Sequence, residues 1–243
     1  MKNVRRTLSL LIALWLIHGQ AAAQFVTEKA ISGDENASDM DQKMQLEIWD
    51  SGSRTGIEAD VTIKGINPRK DVVFKNITDT IFEIKKYRQY TVSCVKKGYM
   101  YYAHKFWPDE MALHVESIKL QPLQVGLKTD IEDITFLGDE TKIYEKSEGT
   151  LQELVTFLNE NPTVQIMIIG HGNGPDIKIG DARIMKATLQ RAETVKKYLV
   201  DHGIDESRLT TKGAGNTKMR FSDPETDWQA EANRRIEIEI TSL

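Results

Sequence analysis

The sequence predicts an exported chain of mixed class (α+β/α/β), a β-sandwich followed by an α/β sandwich. Three observations carry this. Between Met44 and Leu123, apolar residues recur at every second position in short runs split by turn residues, the pattern of half-buried strands. Beyond about Asp130, short apolar runs alternate with stretches at helical spacing, which gives strands layered against helices rather than a bundle. Ahead of both lies a basic head with a short apolar run, the pattern of an export segment.

That segment is residues 1–23. Lys2, Arg5 and Arg6 precede the apolar run Leu8 to Ile17, and Ala21, Ala22 and Ala23 supply the small residues that a signal peptidase reads. Cleavage is expected after Ala23, and the run is too short to span a bilayer as an anchor. Residues 24–43 are polar and acidic with little periodicity, so a flexible leader is expected. Cys94 is the single cysteine, so no internal disulfide can form. It falls in an apolar alternation with Val92 and reads as a small buried hydrophobe.

The first domain is expected over 44–123. Leu46 with Ile48, Val61 with Ile63, Val72 with Phe74, and Tyr90 with Val92 and Cys94 alternate with polar partners. Asp50-Ser51-Gly52-Ser53 and Asn67-Pro68-Arg69-Lys70 mark turns. Tyr99, Tyr101, Tyr102, Phe106 and Trp107 form an aromatic cluster, read either as core and strand edge or as a contact surface. Leu120 to Asp130 is the join, punctuated by Pro122.

The second domain is expected over 124–243. Ile131, Ile134 and Phe136 read as its first strand. Leu151, Leu154, Val155 and Leu158 mark an amphipathic helix stopped by Asn161-Pro162. The stretch from Val164 to Leu209 is the centre of the chain. Val164 to Ile169 is a nearly continuous apolar run, a strand buried on both faces, which Gly170 is expected to end. A loop with Gly172, Gly174 and Gly180 follows. Met185, Leu189, Ala192, Val195 and Leu199 then form one helical stripe, with Gly203 where the helix should stop. Thr210 to Gly215 reads as a short strand. Asp223-Pro224-Glu225 can start a helical turn, and Ile236, Ile238 and Ile240 make a half-exposed last strand.

In α/β sheets, ligands meet the protein in the loops after the carboxyl ends of strands. Arg191 sits at the edge of the helical stripe, where its stem can pack and its guanidinium can face that loop. A guanidinium there can hold a carboxylate through two parallel hydrogen bonds; the plainer reading is a surface arginine.

Several separated pieces resemble the OmpA-like peptidoglycan-binding domain. They are Ile168-Ile169-Gly170-His171, Gln190-Arg191-Ala192 with Val195, Tyr198-Leu199, Gly203-Ile204, Ser207-Arg208-Leu209, Gly213-Ala214-Gly215, and Ala232-Asn233-Arg234-Arg235-Ile236-Glu237-Ile238. The resemblance covers about half the chain. It implies a βαβαβ sandwich with a mixed sheet, and a site for the diaminopimelate residue of the peptidoglycan stem peptide. An Asp in a Gly-His-Thr-Asp loop would take the amino group and the helix Arg the carboxylate. Here Gly172-Asn173 stands where the family has Thr-Asp, so the acceptor is kept and its charge lost. Asp176 or Asp181 is a candidate replacement. The site residues implied are His171, Gly172, Asn173, Asp176, Arg191, Asn233 and Arg234, with at least one of Asn233, Arg234 and Arg235 in a structural role. Thr55 to Val61, Tyr90-Thr91-Val92 and Lys97-Gly98-Tyr99 resemble the carboxypeptidase regulatory-like, transthyretin-like sandwich, which implies a spacer or interaction module.

Chemistry is not expected. No Gly-x-Ser-x-Gly elbow and no G-x-x-x-x-G-K-[ST] phosphate loop occurs. His104, His114, His171 and His202 lack the i, i+4 pairing of helical metal ligands. Formal charge is −4, without a basic block, which argues against nucleic acid. The expectation is a non-catalytic periplasmic protein, peripherally associated with the outer membrane, without metal or cofactor. It would bind peptidoglycan through the C-terminal domain and an envelope protein through the sandwich. The alternative is an assembly scaffold whose C-terminal domain contacts only proteins.

Overall fold

The computed structural model describes residues 41–243 other than 68–69, 87, 109–112, 132 and 138–141. The expected signal segment and nearly all of the expected leader lie outside the described residues. The leader's end is corrected: strand β1 (Asp41–Asp50) already begins at Asp41. Its alternate residues Gln42, Met44, Leu46 and Ile48 are buried while Asp41, Lys43, Gln45 and Glu47 face outward or sit at the margin, so the period-two pattern starts earlier than its apolar members suggest.

The N-terminal part holds two sheets. β1 lies between β4 (Asp79–Lys85) and β7 (Leu113–Leu120), antiparallel to the first and parallel to the second. β2 (Ala59–Asn67), β3 (Lys70–Ile77), β5 (Tyr90–Val95) and β6 (Tyr102–Phe106) form an antiparallel sheet in the order β3-β2-β5-β6. Both sheets feed one apolar cluster: Met44, Leu46, Ile48, Ile118 and Leu120 from one, Val61, Ile63, Tyr90, Val92 and Cys94 from the other. Burial pushes the Cys94 thiol up to about 12, which leaves it a neutral, unreactive hydrophobe.

The C-terminal part has one four-stranded sheet in the order β10-β9-β11-β8. Its elements are β8 (Lys128–Ile131), α1 (Glu148–Glu160), β9 (Gln165–His171), α2 (Ala182–Asp201), β10 (Leu209–Gly215), α3 (Asp227–Asn233) and β11 (Ile236–Ser242). β9 and β10 run parallel, whereas β11 is antiparallel to both β9 and β8, so the sheet is mixed. Leu151, Leu154, Phe157 and Leu158 of α1 and Ala192, Val195 and Leu199 of α2 share one core with Ile166, Ile168, Ile236, Ile238 and Ile240. Gly203 takes φ +90° just past α2, the left-handed stop that its position predicts.

Three expectations are corrected. The first strand of this part is 128–131, not Ile131 to Phe136. Ile134 is buried in the core and Phe136 is partly buried against it, so both are apolar for packing and not for ladder pairing. Gly170 does not end β9, which runs on through His171. A Cβ at Gly170 would lie 2.0 Å from the Thr188 carbonyl oxygen of α2, so glycine is there to let the helix backbone touch the strand. Asp223-Pro224-Glu225 precede α3, which starts at Asp227; the Gln229 side-chain oxygen accepts from the Thr226 N–H at 3.2 Å, half of a capping box.

The described residues fall in one compact unit, and its two parts are cross-braced. The Glu153 carboxylate of α1 accepts from Ser93 Oγ and Tyr101 Oη, each at 2.8 Å, and Lys64 Nζ lies 3.4 Å away. Gly98 N–H donates to Asn161 Oδ1 at 2.8 Å, and Thr91 Oγ1 to Asp133 at 2.8 Å. Met100 and Tyr101 pack into the C-terminal core, so the apolar cluster crosses the expected boundary at 123. Within the aromatic cluster, Tyr101 and Phe106 are buried, Tyr99 donates to Asp50, and Trp107 is exposed. No helix among the described residues is long and apolar enough to cross a membrane.

Candidate functional site

The carboxyl end of β9, the loop 172–181 and the amino half of α2 meet the start of β11. Two close approaches fix this junction. A Cβ on Gly213 would sit 2.3 Å from the Met185 carbonyl, and the matching contact at Gly170 is described above. Thr188, buried between them, accepts from Gly215 N–H at 3.0 Å through Oγ1. Helix α2 is therefore seated directly on the β9–β10 backbone, and Arg191, one turn on, is placed by that seating.

A cleft of about 350 Å³ opens here. Arg191, Arg234 and Arg235 line it with His171, Glu231 and the segment Ile134-Thr135-Phe136. The Arg191 guanidinium carbon lies over the Phe136 ring, 5.5 Å from its centroid, within cation–π range. Arg234 Nε donates to Glu231 Oε2 at 3.0 Å, an i, i+3 pair joining α3 to its C-cap. Arg235 Nε donates to Asp130 Oδ1 at 2.8 Å, and Arg220 joins the same carboxylate. Asp130 holds the Arg235 fork from outside the cleft, while Arg235 Nη1 is buried without a hydrogen-bond partner.

His171 is 1% exposed, and neither ring nitrogen has a hydrogen-bond partner. Burial, with the Arg235 charge, pushes its pKa down from 6.5 to about 4. Glu237 stands 3.8 Å from Nε2, too far for a hydrogen bond. At neutral pH the imidazole is uncharged, so the positive charge of the cleft comes from the arginines.

The structure thus brings together His171, Arg191 and Arg234 of the expected set. Gly172 is buried under Ile184 and Thr188, and its N–H donates to Gly215 O at 2.8 Å. Asn173 Oδ1 accepts from Asn233 Nδ2 at 2.8 Å. Asn233, 0% exposed, also accepts from the N–H groups of Arg220 and Phe221 at 2.6 and 3.0 Å and donates to Phe221 O. It is a fully used internal clamp. Asp176 is exposed and lies outside the cleft lining, and Asp181 caps α2 by accepting from Arg183 N–H at 2.9 Å. The loop's shape comes from Asn216, a buried residue that sequence reasoning passed over. Its amide donates to Gly174 O and Ile177 O, and its oxygen accepts from Gly180 N–H. An Asn directly after the Gly213-Ala214-Gly215 run was the available signal.

In the N-terminal part, His104 and His114 both approach the buried Glu116, at 2.8 and 3.9 Å, with Phe106 stacked on His114. Among the described residues no group of His, Cys, Asp and Glu is arranged to hold a metal.

A cleft lined by three guanidinium groups at strand ends defines a domain that can hold an anionic group. Residues 135–234 match the OmpA family model, so this part of the chain is an OmpA family domain. Outer membrane porin F of Pseudomonas fluorescens is 30% identical over 110 residues, 44% of this chain and 32% of that protein. Probable lipoprotein YiaD of Escherichia coli is 29% identical over 46% of this chain and 49% of its own length. The chain therefore matches between about a third and a half of the length of these curated relatives. Among solved structures, the periplasmic domain of Helicobacter pylori MotB overlays with a TM-score of 0.41 at 18% identity, over 49% of this chain and 76% of that one. A peptidoglycan-associated lipoprotein from Burkholderia pseudomallei overlays with a TM-score of 0.38 at 17% identity, over 45% and 88%.

Proposed function

We propose that this is a non-catalytic cell-envelope protein whose C-terminal domain binds the diaminopimelate-containing stem peptide of peptidoglycan in the Arg191 cleft, tethering an outer-membrane or periplasmic component to the wall. The observation that carries the reading is the convergence of Arg191, set over the Phe136 ring, with Arg234 and Arg235, in an OmpA family domain. A carboxylate entering this cleft meets charge-assisted donors with part of their hydration already removed. The two N-terminal sheets, read as a sandwich of the carboxypeptidase regulatory-like kind, supply the surface for the protein partner. Export through the expected signal segment places the chain in the periplasm.

The test is co-sedimentation with purified diaminopimelate-type sacculi. The wild type pellets, and Arg191→Ala stays in the supernatant with at least about tenfold weaker binding, the loss of one charge-assisted clamp. If the wild type stays in the supernatant, wall binding is wrong; if both pellet equally, the site is wrong.

A specific observation supports a second reading, a protein-binding scaffold without wall affinity. Asn173 carries no charge, and its oxygen is turned onto Asn233. Asn173→Asp keeps that acceptor and so keeps the fold. A variant that pellets while the wild type does not identifies the scaffold reading.

A further inference from the structure

We infer that Glu231 is the specificity residue of the cleft, taking the ammonium group of a zwitterionic ligand whose carboxylate the arginines hold. The inference rests on the reading of the cleft as a stem-peptide site. Among the described residues lining the cleft, Glu231 is the one carboxylate, set among the three guanidinium groups of Arg191, Arg234 and Arg235. Of the other described acidic groups nearby, Glu237 lies outside the lining and has Lys128 Nζ 3.6 Å from its carboxylate. Asp130 is held by Arg235 and Arg220, Asp181 caps α2, and Asp176 is outside the lining. Asn173 is engaged inside the fold by Asn233. An ammonium group entering beside the arginines therefore meets one anionic partner among the described residues of the lining.

The geometry of Glu231 suits this role. It lies in the last turn of α3, three residues before Arg234, and its side chain is 56% exposed. Arg234 Nε engages Oε2, and no hydrogen bond to Oε1 is made among the described residues. Arg234 thus orients the carboxylate without exhausting it, since an ionised carboxylate offers about four acceptor sites. The cationic pole comes from α2 and the turn between α3 and β11, the anionic one from the last turn of α3.

The experiment is calorimetric titration of the purified protein with L-alanyl-γ-D-glutamyl-meso-diaminopimelate, and with the same tripeptide acetylated on its free side-chain amine. The wild type is expected to prefer the free amine by about tenfold, the size of one charge-assisted contact. Glu231→Gln should bind the two peptides equally, with a thermal midpoint within a degree or two of wild type because the side chain is exposed. Glu231→Asp should keep part of the preference. A Glu231→Gln protein that still prefers the free amine overturns the inference while leaving the cleft reading intact. So does a wild type that binds both peptides equally. A wild type that binds neither peptide overturns both.

Discussion

Asn233 shows how a residue can resemble a ligand contact and be a clamp. It is fully buried and makes four hydrogen bonds, to Asn173, Phe221 and the N–H groups of Arg220 and Phe221. Asn233→Ala strands several of those groups. It should lower stability by about 2–4 kcal/mol, read as a drop in the urea midpoint at unchanged slope. His171 carries a pH signature. Its pKa is about 4 in the folded protein against 6.5 when exposed, so the unfolded chain binds the extra proton first. The contribution is fully present above pH 6.5, falls between pH 6.5 and 4, and is flat below. At most about 3 kcal/mol is lost over that window. Urea titrations of wild type and His171→Gln across it should show a smaller pH slope in the variant. Arg191 and His171 were legible in the sequence because strand-end loops collect function. Arg235 was named only among three residues of which at least one is structural, and Glu231 was not singled out. A lone charge on a short helix or strand carries no period, and only the turn between α3 and β11 puts it in the cleft.

At the scale of elements, the strongest constraint is backbone on backbone. Gly170 and Gly213 face the carbonyls of Thr188 and Met185 at distances no Cβ tolerates. Gly170→Ala must push α2 off β9. It should destabilise by at least about 3 kcal/mol, and binding at Arg191 should weaken even where the protein stays folded. Thermal melts together with sacculus pelleting separate the two effects. The strand β9 and helix α2 could be read directly, because their apolar residues follow the burial they adopt. The first strand was misplaced because Ile134 and Phe136 mimic alternation while serving the core and the floor of the cleft. The start of α3 was missed because Asp223-Pro224 is a strong local signal, whereas the true start uses the quieter pair Thr226 and Gln229.

At the scale of the molecule, the parallel pairing of β1 with β7 joins residues some seventy positions apart, Lys43 with Leu113 through Asp50 with Leu120. No local pattern announces such a partner. The core that runs from Tyr101 into α1 likewise crosses a boundary that the change of period seemed to fix. Calorimetry of residues 41–243 should therefore give one cooperative transition. Glu153→Ala, which removes the acceptor shared by Ser93 and Tyr101, should split or broaden it. An unchanged single peak would show that the two parts are joined by apolar contact alone.

That shared acceptor also governs how force travels. A pull on the sheet that holds β2 and β5 reaches helix α1 through Ser93, Lys64 and the neighbouring Tyr101, whose polar groups all meet the one Glu153 carboxylate. If the C-terminal domain grips the wall as proposed, whatever the N-terminal sheets carry turns with it as one body.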